Sequence, residues 1–353
     1  IQIIGVSLFG RNEFGVRIGS VCLTIGTCLL TWWIGRLLAG PFAGLLSGLV
    51  MSTCIWTAVG GRAATPDAAL VFCTTMAGAF YVHAIQRDSV LQITRLHAVG
   101  IGLACGFAVL AKGPVGIVLP MAAFLLTACV LHNKSIFTCG KSWIYRIATS
   151  LRPLTILAVA TVVALPWYVL VGVRTNGQWI RDFLLIHNAG RFLAPMEGHT
   201  GSFLYYPMIL AIGLFPWSII LLAVPAHTVF LWQTKRLSSS HFRTVAFSGV
   251  WFLVWIGTFA IAGTKLPGYI WPAYPALSIV TALYLADWIR GRTGWETMLF
   301  WNMPSDKARA LVMNIGWFTL SAVGICLAIG IPLLSPKFAP EMNGLDSLGC
   351  FQS

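Results

Sequence analysis

The chain alternates long apolar stretches with short polar turns. Apolar runs of about 18 or more residues, each long enough to cross a bilayer core, recur along its length. The pattern predicts ten helices, at 16–37, 41–59, 67–86, 97–111, 114–132, 153–173, 203–232, 245–262, 267–289 and 311–335. The fourth is short and rich in glycine. The seventh is long and carries Pro207, Pro216 and Pro225, which predicts a tilted or kinked helix whose freed carbonyls are satisfied by neighbours. Gly40, Gly44 and Gly48 are spaced by four, as close helix packing requires.

Composition gives the same class. Hydrophobic residues fill 58% of 353 positions, only 9% are charged, and the mean hydropathy is +0.82. A soluble domain of this length keeps about a quarter of its residues charged, so lipid is the main solvent here. The expected fold is therefore an all-α integral membrane protein, a polytopic bundle of about ten transmembrane helices. The nine cysteines form no CxxC pair and fall mostly inside the apolar stretches, where they act as small apolar residues. Walker loop, dinucleotide fingerprint and serine nucleophile elbow are all missing, which argues against soluble nucleotide-driven chemistry.

Threading the connections alternately across the bilayer sorts the 23 basic residues into fourteen on one side, among them Arg87, Arg243 and Arg290, and nine on the other. The positive-inside rule makes the fourteen cytoplasmic. Basic residues beside anionic headgroups account for most of the net charge of +13, and no nucleic-acid partner is needed.

Several of the nine sit in short turns bounded by glycine or proline. Arg62 and Asp67 lie in GGRAATPDAAL, Lys112 in LAKGPVG and Lys265 in AGTKLPGYI. A charge held at membrane depth costs roughly 2.5–3.5 kcal/mol on insertion scales unless it faces a partner or a wet cavity. Turns of this kind on one face predict a shared polar cavity. Taken singly, each charge also fits an interfacial anchor that snorkels to water.

The longest polar interruption runs from Arg174 to Phe203 and holds Arg174, Arg181, Asp182, His187, Arg191, Glu197 and His199. Within it, QWIRDFLLIH suggests a short amphipathic helix resting at the interface, with His187 and Asn188 as its cap. Glu197 and His199, in EGHTG, are two candidate ligands for a divalent metal, fewer than the three or four that zinc takes from protein. Tyr205 and Tyr206 fit either belt aromatics or the lining of a lipid path, and Trp167, Trp217 and Trp271 read as belt residues.

The segments GRAATPDAALVF, GFAVLAKGPVGIVLP, LPWYVLV, HNAGRF…EGHTGSFLYYP, LFPWS and TKLPGYIWPAYPAL follow one another in an order that resembles a family of bacterial membrane glycosyltransferases. That family includes the 4-amino-4-deoxy-L-arabinose lipid A transferases, is related to the protein O-mannosyltransferases, and has the GT-C architecture. The resemblance covers residues 5–290. It implies transfer of a sugar from a polyprenyl-phosphate donor to a lipid A-like, glycan or protein acceptor, on the periplasmic face of the bacterial inner membrane. A departing polyprenyl phosphate calls for fixed cations, for which Arg191, Lys112 and Lys265 are the candidates, with Arg62 beside them. An acceptor hydroxyl calls for a carboxylate, and Asp67 matches one of the family's acidic loop positions.

The resemblance also carries a departure. The family's first helix and its large first external loop, with an acidic catalytic motif, have no counterpart among these residues. Residues 1–335 are accordingly read as a transferase-like membrane domain and 336–353 as a short tail, with Asp67 a supporting carboxylate. A chain of these residues alone is expected to be inactive. Two other function classes fit the residues: a secondary transporter, since proline-broken helices and intramembrane charges suit a carrier, and a non-catalytic lipid-binding subunit.

Overall fold

The structure is a computed structural model that describes residues 2–87, 93–131, 145, 149–190, 204–221 and 223–293, together with nine helical positions between 307 and 325; at 87 and 186–189 it describes the backbone alone. The chain divides into two units, Ile1–Thr293 and Gly294–Ser353. The first holds α1 (Gln2–Phe9), α2 (Glu13–Ala39), α3 (Pro41–Thr53), α4 (Ile55–Arg62), α5 (Asp67–Arg87), α6 (Arg95–Lys112), α7 (Val115–Leu131) and α8 (Pro153–Arg174). It continues with α9 (Gln178–Arg181), a π-helical turn (Asp182–Gly190), α10 (Tyr205–Gly213), α11 (Ala223–Gln233), α12 (Ser239–Ile261), a 3-10 segment (Pro267–Ala273) and α13 (Tyr274–Ile289).

Six helical segments are long and apolar enough to cross a bilayer, or up to eight if each of two broken pairs is one span, so the protein is multi-pass. Ten spans are not reached among the described residues. The stretch expected at 114–132 forms a helix of 17 residues, and much of the one expected at 311–335 lies outside them. Two further expectations shift. The stretch at 41–59 is two helices, α3 and α4, bent by 59°. The stretch at 203–232 breaks between α10 and α11, around Pro216. The amphipathic segment after α8 is a four-residue α-turn running into the π-helical turn.

The two breaks satisfy each other. The backbone N–H of Ile55, at the start of α4, donates to the carbonyl of Phe215 at 3.1 Å. Beside it the Trp217 indole Nε1–H donates to Thr53 Oγ1 at 2.8 Å. In lipid an irregular backbone is tolerated only where neighbours take up its polar groups, and here each broken span caps the other.

Polar side chains on the spans are handled the same way. Thr24, Thr27 and Thr31, all buried on α2, turn their hydroxyls onto the carbonyls one turn back, at 2.8–2.9 Å. Small residues then allow close approach. A Cβ at Gly44 would lie 2.6 Å from the backbone nitrogen of Arg36, and one at Gly102 or Gly106 would lie 2.7 Å from Val159 or Val163 of α8. Gly40 differs from its two partners in the predicted stripe. A Cβ there would meet nothing within 4 Å, and its φ of 91° is what the tight α2–α3 turn needs.

The core runs between α2, α5, α6, α7, α12 and α13 around Ile34, Tyr81, Phe124, Trp251 and Trp255. Tyr81 stacks on Phe124 at 4.4 Å, and the Trp251 indole donates to the carbonyl of Pro272 at 2.8 Å. A second cluster packs Trp271, Tyr206 and Tyr274 against α3 and α10. Trp271, expected in the interfacial belt, is 2% exposed and belongs to this core. The six described cysteines are free, as their placement in spans implied.

Candidate active site

Three turns meet at one end of the first unit, and the sequence explains why. Asp67 opens α5 and Lys112 closes α6, so each charge opposes the partial charge of its own helix terminus. Gly113 ends α6 at φ 80°, its N–H on the Val109 carbonyl at 2.7 Å. The two helices pack side by side in opposite directions, which sets the start of one against the end of the other. Lys112 Nζ therefore reaches Asp67 Oδ1 as an ion pair, with the side chains about a quarter and a fifth exposed.

The third component is the TKLPGY segment. Gly268 sits so close that a Cβ there would lie 3.0 Å from Asp67 Oδ2. Next to it, Tyr269 places its ring 4.7 Å from Lys112 Nζ, and Phe259 of α12 backs that ring at 4.9 Å. The ammonium is thus held by a carboxylate and an aromatic face together. Lys265, four residues before Tyr269, donates to the carbonyl of Ala260 at 2.7 Å, closing the C-terminus of α12, and lies 5.6 Å from the ring of Tyr206.

Tyr205 and Tyr206, predicted as belt residues or lipid-path lining, meet edge to face at 5.1 Å at the start of α10. Tyr206 is buried at 2% exposure, while Tyr205 is half-buried. Arg62, the last residue of α4, is exposed. Arg191, Glu197 and His199 lie outside the described residues, as do the side chains of His187 and Asn188. The structure thus brings Asp67 and Lys112 into contact and binds both to the segment that carries Lys265. Gly268 and Tyr269, which complete the arrangement, were not singled out in the sequence; their only signal was their place in TKLPGY beside Lys265.

A cavity of about 760 Å³ opens beside the pair. Its lining is mostly apolar, from Leu23, Phe72, Met76, Phe107 and Leu110, with Pro66 and Ala111 adjoining Asp67 and Lys112. Gln2 of α1 forms one margin and bonds the Ala64 carbonyl at 2.5 Å. An apolar trough with a fixed ammonium on the residue adjoining its lining suits an amphiphile with an anionic head.

Comparison with known proteins bears on this geometry. A family profile described as dolichyl-phosphate-mannose-protein mannosyltransferase matches residues 1–167. An undecaprenyl phosphate-alpha-4-amino-4-deoxy-L-arabinose arabinosyl transferase from Edwardsiella ictaluri is 30% identical over 287 residues, 80% of this chain and 48% of the relative. One of the same description from Pectobacterium atrosepticum is 28% identical over 98% of this chain and 57% of its own length. The chain spans about half the length of the curated relatives it matches. In fold, it superposes on the crystal structure of ArnT from Cupriavidus metallidurans bound to undecaprenyl phosphate with a TM-score of 0.64, at 22% identity, over 96% of this chain and 61% of that one.

Proposed function

Because the chain belongs to the GT-C family of membrane glycosyltransferases, we propose that it takes part in moving a sugar from a polyprenyl-phosphate donor to a lipid A-like acceptor at the periplasmic face of the inner membrane. The observation that carries this reading is the Lys112–Asp67 pair, backed by Tyr269, next to a mostly apolar cavity whose lining includes the adjoining residues Pro66 and Ala111. The names of the relatives agree with the donor class. Glycan and protein acceptors remain within the same chemistry.

In such a transfer an acceptor oxygen attacks the anomeric carbon. The bond from that carbon to the donor phosphate breaks, and the phosphate leaves with the bonding pair. Lys112 supplies a cation for the charge that grows on the phosphate oxygens, in a site poor in water, where such an interaction is strong. Asp67 holds that ammonium in place and leaves Oδ2 towards Gly268, where it can orient a proton on the acceptor. Lys265, one turn away on the same segment, is the second cation; Arg62 and Arg191 are outer candidates. Tyr205 and Tyr206 flank the approach, and the cavity takes the first isoprene units.

The test is a transfer assay in membranes with a panel of polyprenyl-phosphate sugars, alongside binding of undecaprenyl phosphate to the purified chain. Lys112→Met is expected to weaken undecaprenyl phosphate binding by about tenfold or more, and to lower transfer by about 10²-fold wherever the parent chain shows it. Wild-type binding of the phosphate lipid no tighter than binding of the uncharged polyprenol would overturn the reading.

A further inference from the structure

Away from the Asp67–Lys112 pair, three ligand-type side chains from three helices meet at the opposite end of the first unit. The polarity of the helices fixes that location. Gln86, at the far end of α5 from Asp67, accepts from Arg243 Nη1 at 3.4 Å, so the start of α12 lies beside the end of α5. Nineteen residues of helix separate Asp67 from Gln86, about 28 Å at 1.5 Å per residue.

There, Asp287 of α13 places one oxygen, Oδ2, 3.1 Å from His227 Nε2 on α11 and 2.5 Å from His241 Nε2 on α12. The three donor atoms lie within 4.8 Å of one another. The His227 and Asp287 side chains are each 4% exposed and that of His241 is 19% exposed, so the cluster is buried with one side open. None of the three residues belongs to the site described above.

We propose that His227, His241 and Asp287 form a divalent metal site of the zinc class, with the fourth position left to water, which ties α11, α12 and α13 together at this end. Two imidazoles and a carboxylate are a ligand set that zinc accepts. Zinc bonds of about 2.0–2.1 Å in tetrahedral arrangement put ligand atoms about 3.3 Å apart, so seating the ion requires the His241 ring and Asp287 oxygen to part by less than about 1 Å and the two Nε2 atoms, within 4.8 Å of each other, to close by up to about 1.5 Å. His241 is the partly exposed member, and its ring can swing.

The surroundings support a ligand set over a simple hydrogen-bond clamp. With both Nε2 atoms aimed at one oxygen, an unoccupied cluster needs both rings protonated at Nε2. A metal needs that position free and the proton on Nδ1. Ser238 Oγ lies 3.0 Å from His241 Nδ1, and as a hydroxyl it can donate to or accept from that nitrogen. A hydrogen bond at the far ring nitrogen is the usual way a metal-bound histidine is oriented. His227 Nδ1 is buried and makes no hydrogen bond among the described residues. That ring is held instead by Tyr284, edge to face at 5.6 Å, and no tautomer is imposed on it.

The basic side chains at this end have other engagements or face outwards. Arg243 is engaged with Gln86 and the Ser239 carbonyl, and Arg290 lies over the ring of Phe42 at 5.3 Å. Lys235, Arg236 and Arg292 are exposed.

The test uses the full chain in detergent, carrying Glu197→Ala and His199→Ala so that the EGHTG pair does not compete, stripped with a chelator and then titrated with Zn²⁺ or Co²⁺. One equivalent is expected to bind, to raise the melting temperature, and with Co²⁺ to give the visible bands of a tetrahedral nitrogen and oxygen site. His241→Asn should weaken zinc binding by more than about 100-fold and abolish both effects. His227→Gln, a second variant of similar volume, should do the same. No binding by the parent chain, or equal binding by the parent and a folded His241→Asn variant, would overturn the proposal.

Discussion

Asp67 and Lys112 stand 45 residues apart in the chain and form one ion pair because α5 begins where α6 ends. The pair is partly desolvated, so each member depends on the other more than a surface pair would. Asp67→Asn and Lys112→Met are each expected to destabilise the chain by about 1–3 kcal/mol. Asp67→Asn/Lys112→Met together should cost less than the sum of the two. A double-mutant cycle on thermal unfolding in detergent checks this; strict additivity would mean that the two charges do not act as a unit.

Gly268 faces the second oxygen of that carboxylate, and a Cβ there would come within 3.0 Å of it. Gly268→Val is expected to push Asp67 off Lys112 and to lower undecaprenyl phosphate binding by about tenfold while the helix content by circular dichroism stays at wild type. Gly249→Val, where the space is open, serves as the control.

Tyr269 offers its ring face to Lys112 at 4.7 Å. Tyr269→Phe keeps the ring and should bind the phosphate lipid as wild type does. Tyr269→Leu removes the quadrupole and should weaken binding by about 1–2 kcal/mol. Equal affinities for Phe and Leu variants, read by titration calorimetry, would show that the ring serves only as packing.

Lys265 has two roles, as the closing donor on Ala260 and as a cation over Tyr206. Lys265→Arg should preserve phosphate binding. Lys265→Met should lose about 0.5–1.5 kcal/mol of stability through the lost hydrogen bond and weaken phosphate binding as well. Stability from denaturation and affinity from titration separate the two.

The paired breaks give a prediction for the fold. Trp217→Phe removes the bond to Thr53 that joins them and is expected to cost about 1 kcal/mol. Thr53→Val should cost a similar amount, and the two losses should not add. Protease accessibility near Cys54 and Pro216 should rise in both variants.

The sequence by itself determined that this is a helical membrane protein, and it located most of the spans. An apolar run of about 20 residues with few charges has one low-energy solution in lipid, a helix that satisfies its own backbone. It also placed Asp67, Lys112 and Lys265 at span ends, because charges in a charge-poor chain are confined to the few places that can hold them. The tertiary structure decided the rest. That α3 ends at Thr53 and α4 begins anew at Ile55 could not be read from a stretch that carries no charge, proline or glycine at the break; the break is stable because Phe215, 160 residues away, accepts the freed N–H of Ile55. Trp271 carries the same composition signal as a belt tryptophan, yet the fold packs it against Gly60 in the core. Gly268 and Tyr269 join the site, and His227, His241 and Asp287 meet, through the directions in which separate helices run. Pattern along one helix records which residues avoid lipid, but the partner each of them finds is set by how helices pack, and that is a property of the whole chain.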